Sequence, residues 1–117
     1  MPLELSAESF DELVTEELDA LADEIVAHLD NVIFVVEDIS PDNDMGLLGL
    51  YDGISLTERS QYGFGELPDR IVLYRLALLN VCNTMDELRE QVHITLVHEI
   101  AHYYGLSDEE LDKLGWA

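Results

Sequence analysis

Cysteine is nearly absent from this chain: in 117 residues, Cys82 is the one thiol. One cysteine cannot close an intrachain disulfide, and it has no second thiol with which to form a zinc–thiolate motif. It is expected as a small buried apolar residue. Basic residues are almost as scarce, five against 26 acids, for a net charge of −21. Nucleic acid is not expected as a partner, because phosphate binding depends on clustered Lys and Arg. An anionic membrane surface is disfavoured for the same reason. The excess acids read as a strongly solvated surface rather than as a steering field. No apolar run reaches the roughly 18 residues that a membrane span needs. Met1-Pro2-Leu3-Glu4 has neither the basic start nor the apolar stretch of a secretory signal, so a cytoplasmic location is expected.

What is present is enough apolar material, 48% of the residues, to fill a core. The length suits one domain over 1–117. Ser9-Phe10-Asp11-Glu12 has the form of a capping box. Phe10, Leu13, Val14, Leu18, Leu21, Ala22, Ile25 and Leu29 follow it at helical spacing, so one helix is expected there. His28 falls near its end, far in sequence from the other histidines, and is not expected to bind a metal. Val32 to Val36 is a continuous β-rich apolar run, expected as a buried strand. Ser40 to Asp44 reads as a loop. Leu47 to Tyr51 is a second strand candidate, ended by Asp52-Gly53, and Thr57 to Gly65 an exposed loop. Arg70 to Arg75 reads as a third strand after Pro68, and Leu76 to Asn80 stays open between helix and strand.

Thr84-Met85-Asp86-Glu87 forms a second capping box. The helix it opens is expected to run to Tyr104 and stop at Gly105, a length of ~30 Å. Leu88, Val92, Ile94, Leu96, Val97, Ile100, Ala101 and Tyr104 surround most of its axis, so it is expected inside the molecule. Ser107-Asp108-Glu109-Glu110 then opens a short helix carrying Leu111 and Leu114, with Trp116 packing at its end. The expected fold is α+β: a small twisted β-sheet packed on a long central helix, with an N-terminal helix.

The chemistry concentrates on that central helix, at His98-Glu99-Ile100-Ala101-His102. Four residues turn about 400°, so the two imidazoles leave nearly the same face, one turn apart. Two zinc ligands need that geometry. Glu99 sits about 100° round the helix from His98. From there a carboxylate can reach a water that the metal activates, without displacing it. The flanks Val97, Ile100, Ala101 and Tyr103 carry no charge, as a motif inside a core requires. Burying two histidines and a glutamate together is costly unless something pairs them.

A catalytic zinc wants a third protein ligand. The run continues to Asp108 as HExxHxxGxxD. Gly105 allows a sharp turn out of the helix, from which Asp108 can swing back, the spacing following that of the HExxHxxGxxH pattern. Glu109 and Glu110 are alternatives to it. His93 points to another side of the helix. Tyr103 and Tyr104 are expected to pack, with a role for one of them at a reacting oxyanion as the alternative.

The residues His98 to Asp108 resemble the zincin metallopeptidases, in particular a family of very small bacterial zincin-like proteins. Leu47-Leu48-Gly49-Leu50-Tyr51-Asp52-Gly53, Leu56-Thr57-Glu58-Arg59 and Leu67-Pro68-Asp69-Arg70-Ile71 look like other characteristic stretches of that family. The resemblance implies a minimal zincin fold, zinc held by His98, His102 and Asp108, Glu99 as general base, and a peptide or protein substrate. Two departures from the metzincin pattern stand out. Aspartate replaces its third histidine, and with nine residues after Asp108 no methionine-containing turn is expected beneath the metal. Two other functions compete with a zinc-dependent peptidase. The acidic surface and Glu99 both speak against a zinc-dependent ribonuclease. Glu99 also speaks against a non-catalytic, metal-stabilised interaction domain, because a structural site needs no base.

Overall fold

The computed structural model describes residues 3–53 and 68–114, Asp108 by its backbone alone. The loop expected over Thr57 to Gly65, and Trp116, lie outside the described residues.

Helix α1 (Ala7–Asp19) begins two residues before the expected capping box. Ser6 is its N-cap, with the Ser6 hydroxyl accepting from the Ser9 N–H, so Ser9 lies inside the first turn. The single helix expected through Leu29 is two: the chain leaves helical geometry at Ala22 and resumes in the four-residue α2 (Asp23–Val26). The reason lies in what each piece covers. Phe10, Leu13 and Val14 join one buried cluster, with Leu88, Val92 and Leu96. Leu21 and Ile25 join another, with Ile71, Val97 and Ile100. The bend lets one apolar stripe serve both clusters.

Among the described residues three strands follow: β1 (Val32–Glu37), β2 (Gly49–Asp52) and β3 (Asp69–Tyr74). Their order in the sheet is β1-β3-β2, with β1 parallel and β2 antiparallel to β3. The strand expected to be buried, Val32 to Val36, is therefore an edge among the described strands and is mostly half-buried. The strand buried on both faces is β3, where Ile71, Val72, Leu73 and Tyr74 are at most 2% exposed. A continuous apolar run suits a central strand, but both strands have one, and only pairing decides which takes the middle. Arg70 helps fix that pairing. From β3 it reaches Glu37 at 2.9 Å on one neighbour and Asp52 at 3.6 Å on the other.

The ambiguous stretch after β3 is helical, α3 (Arg75–Asn80). Helix α4 (Met85–Tyr104) starts and stops as expected. Thr84 and Glu87 form the reciprocal capping box, and Gly105 closes the helix in the left-handed region at φ 79°. The helix packs against α1, α3, β2 and β3. Its burial is less complete than expected: Ile94 is 44% exposed, because α4 keeps one strip of surface toward solvent. Helix α5 (Asp108–Leu114) follows the Gly105 turn. The architecture is α+β, a small mixed sheet on a long helix. Among the described residues no helix is long and apolar enough to cross a membrane.

Candidate metal centre

His98, Glu99 and His102 lie in the last turns of α4. The two imidazoles have ring centroids 4.6 Å apart and planes inclined by 56°. His98 is half-buried and the His102 side chain is 43% exposed, so both rings can be reached from solvent. Zinc–nitrogen bonds are about 2.0–2.1 Å long, so rings this close can offer one nitrogen each to a single ion. His102 Nδ1 lies 3.4 Å from Glu99 Oε1, leaving Nε2 on the far side of the ring.

Glu99 differs from the two histidines in being buried, at 7% exposure. It sits where β2 crosses α4, and two features of β2 explain how a carboxyl group fits there. Gly49 is one: a Cβ at that position would lie 2.6 Å from Thr95 Cγ2, 3.1 Å from the Val72 carbonyl oxygen and 3.5 Å from Glu99 Cγ. Only a glycine permits so close a crossing. The backbone N–H of Tyr51 is the other, and its presence favours the charged form of the Glu99 carboxyl. Burial pushes the Glu99 carboxyl above the ordinary carboxylate range; His98 and the Tyr51 N–H pull the other way without cancelling it. Beside this group opens a cleft of about 240 Å³, walled by Leu47, Leu48, Gln91, Ile94 and Thr95 and reaching His98 and Glu99.

The expected third ligand, Asp108, opens α5, and its side chain lies outside what is described. Its two alternatives have other partners. Glu110 closes a capping box with Ser107, accepting from the Ser107 N–H at 3.2 Å while the Ser107 hydroxyl accepts from the Glu110 N–H at 3.2 Å. Glu109 lies 3.8 Å from Lys113. Among the described residues no three His, Cys, Asp or Glu side chains gather closely enough to hold a metal. Among the described side chains the donor set thus comprises two imidazoles, chemically suited to zinc.

The tyrosines pack, as expected. The Tyr103 hydroxyl, fully buried, accepts from the Asp30 N–H at 3.2 Å, and the Tyr104 hydroxyl donates to the Ile25 carbonyl at 2.6 Å. They tie the end of α4 to the α2–β1 connection and to α2 itself. Tyr51 stands edge-on to Tyr103 and gives its own hydroxyl to buried Asp69 at 2.7 Å. His28 and His93 are exposed, and Cys82 is buried at 1% exposure. Sequence reasoning passes over Gly49 and Tyr51. An isolated glycine within a strand is the available signal, since it marks close approach of another element. A backbone donor such as the Tyr51 N–H leaves no mark on residue type.

The family model described as zincin-like metallopeptidase matches residues 29–116, which takes in β1 through α5. A solved structure, that of a conserved hypothetical protein from Thermo thermophilus, is similar at 25% identity with a TM-score of 0.55. The likeness covers 94% of this chain and 97% of that one. No curated protein matches.

Proposed function

The chain belongs to the zincin-like metallopeptidase family, and on that basis we propose that it hydrolyses peptide bonds, with zinc held by His98, His102 and Asp108 and with Glu99 as general base. What carries this reading is the contrast within about one helical turn: a half-buried and an exposed imidazole beside a carboxyl group that is buried at the edge of a cleft. Zinc, when bound, would supply Lewis acidity toward a peptide carbonyl and make a water easier to deprotonate.

The protein's own part begins with the spacing of the two histidines, which aims both rings at one point. Glu99, one residue on from His98, is offset around the helix. At that offset it is poorly directed to join the ligands and well directed to accept a proton from the attacking water. The cleft along Leu47, Leu48 and Ile94 gives an extended peptide room beside that carboxylate. A metal-stabilised interaction domain would have no use for a buried acid at this point, since burying a carboxyl group costs stability.

The test is metal analysis joined to a peptide-library digest. The purified protein should take up about one zinc per chain and cleave a subset of peptides. Glu99→Gln should keep the zinc and lose a factor on the order of 10² to 10⁴ in rate. Equal cleavage by wild type and Glu99→Gln refutes the general-base assignment. Zinc uptake without cleavage of any peptide refutes the peptidase.

A further inference from the structure

We propose that the free edge of β1 pairs antiparallel with β1 of a second copy of this chain, and that the net charge of −21 holds the copies apart until salt screens it. The proposal stands apart from the reading of Glu99. The direction of each backbone group in β1 follows from its ladder with β3. The Asn31 carbonyl accepts from the Asp69 N–H at 2.9 Å, and the parallel register runs from Val32 opposite Asp69 to Glu37 opposite Tyr74. In such a ladder every second residue turns its N–H and C=O groups to the partner. Here these residues are Ile33, Val35 and Glu37. Val32, Phe34 and Val36 turn theirs away, and among the described residues no strand takes them up. The chain is described without a break over residues 3–53, on both sides of β1. The described helices pack against β2, β3 and one another, so none is packed closely along this edge.

Open edges are ordinarily blunted by a charge, a proline or a bulge. From Val32 to Val36 this edge has none of these, in a chain with 26 acids among 117 residues. It also matches itself. With Phe34 opposite Phe34 on a two-fold axis, Val32 of each copy faces Val36 of the other. The outward groups then meet in three pairs, each exchanging two backbone hydrogen bonds. On the other face Ile33, 44% exposed, comes opposite Val35. All of these are aromatic or β-branched pairs, which favour cross-strand packing. The acids at the end of β1 are answered within the chain, Glu37 by Arg70 at 2.9 Å and Asp38 by Arg75 at 3.0 Å. Asp30 of one copy falls opposite Asp38 of the other, where Arg75 offsets one of the two charges. What opposes pairing is the repulsion between two bodies of −21, spread over the surface and long in range. That repulsion falls as the screening length shrinks, from about 30 Å at about 0.01 M salt to about 3 Å at about 1 M. Backbone bonds and apolar contacts do not weaken with it. The acidic surface thus does for β1 what a local charge or proline does for other edges. A basic foreign strand, the rival occupant, would bind best at low salt, the opposite dependence. The cleft beside Glu99 lies across β3 from this edge, so the joined sheet leaves the candidate site open.

Sedimentation equilibrium of the full chain reads the association directly. The chain should be monomeric at about 0.01 M NaCl, and its dimerisation constant should rise at least about tenfold between about 0.1 M and about 1 M. Amide hydrogen exchange locates the contact. At about 0.01 M NaCl the Val32, Phe34 and Val36 amides should exchange fast, with Ile33, Val35 and Glu37 protected by β3. At about 1 M the first three should slow at least about tenfold. Ile33→Lys puts a charge on the exposed face of the edge. It should keep the chain monomeric at about 1 M NaCl, even though it lowers the net negative charge. Val81→Lys makes the same charge change outside the sheet, at a position 50% exposed, and should dimerise as the wild type does. A chain still monomeric at about 1 mM protein in about 1 M NaCl overturns the proposal. So does a dimer whose three outward amides stay unprotected, or one that Ile33→Lys leaves intact. A lysine-flanked valine peptide that protects those amides, in a chain that stays monomeric at about 1 M NaCl, gives the edge to a foreign strand and overturns it as well.

Discussion

From Met85 to Val97, α4 turns Leu88, Val92 and Leu96 into the core, each with no exposure, and begins in a complete capping box. From His98 to Tyr104 the same helix carries two solvent-reachable imidazoles and a buried carboxyl group. The first stretch contains residues chosen by burial. The second sets residues that burial would select against among the fully buried Ile100, Ala101 and Tyr103, with the tyrosines tying this end to α2 and the connection after it. One continuous element can thus anchor a fold at one end and hold reactive groups at the other. A helix rigid along its whole length transmits the precision of the anchored end to the exposed one.

Removing the imidazoles strikes this division hardest. His98→Ala and His102→Ala should each abolish tight zinc binding and, with it, hydrolysis, because the remaining donors cannot retain a catalytic zinc. Both rings are at least partly exposed, so the melting temperature of the metal-free protein should move little. Equilibrium dialysis with zinc and thermal melting check the two halves of this statement. Full zinc occupancy in the double variant would remove the site from α4 altogether.

The converse experiment acts on the anchoring half. Leu96→Ala, at a fully buried position in the cluster with Phe10, Leu88 and Val92, should cost about 2–5 kcal/mol in denaturant unfolding. Zinc affinity of the folded fraction should change little, since the ligands sit further along the helix. A Leu96→Ala protein of normal stability but poor zinc affinity would erase the division between the two stretches.

Gly105 joins the two concerns. Its φ of 79° lies where an alanine is strained, so Gly105→Ala should cost about 1 kcal/mol, and Gly105→Asn less. The same turn leads to Asp108. If Asp108 is the third ligand, the alanine variant at Gly105 should lose zinc affinity beyond its loss of stability, and Asp108→Ala should lose more. Unchanged zinc affinity in Asp108→Ala would send the search for the third donor elsewhere.

Much of this division can be read from residue types. The Thr84 box, the Gly105 stop and the His98–His102 spacing are local patterns whose physics acts within a few residues, and each stands where its pattern puts it. What escapes is set by distant partners. Leu18, Leu21 and Ile25 keep helical spacing across the bend at Ala22, so nothing in that stretch marks the change of cluster. The runs in β1 and β3 look equally apolar, and only the sheet order makes one an edge. The role of Gly49 depends on Thr95 and Glu99, some 50 positions away. The cap of α1 lies at Ser6 rather than Ser9 because two serines three residues apart can each cap, and local pattern does not choose between them.

The smallest effect belongs to the start of α4, and it tests whether the anchored end matters to the reactive one. Thr84 Oγ1 accepts from the Glu87 N–H at 3.1 Å, and Glu87 Oε1 accepts from the Thr84 N–H at 3.1 Å and the Asn83 N–H at 3.0 Å. Three backbone donors that the first turn would otherwise leave to water are thus satisfied by two side chains. Thr84→Ala should cost about 1 kcal/mol, the usual value of a lost N-cap, and Thr84→Ser close to nothing. The site lies about 20 Å along the helix from Thr84 at 1.5 Å per residue. Fraying of the first turn ends well short of His98, because Leu88 and Val92 pin the intervening turns in the core. Zinc affinity and kcat of Thr84→Ala should therefore match the wild type at temperatures where the protein is folded. A drop in kcat that tracks the loss of the cap, and is restored by Thr84→Ser, would show the opposite: that the reactive end depends on tension along the whole helix rather than on its local contacts with β2.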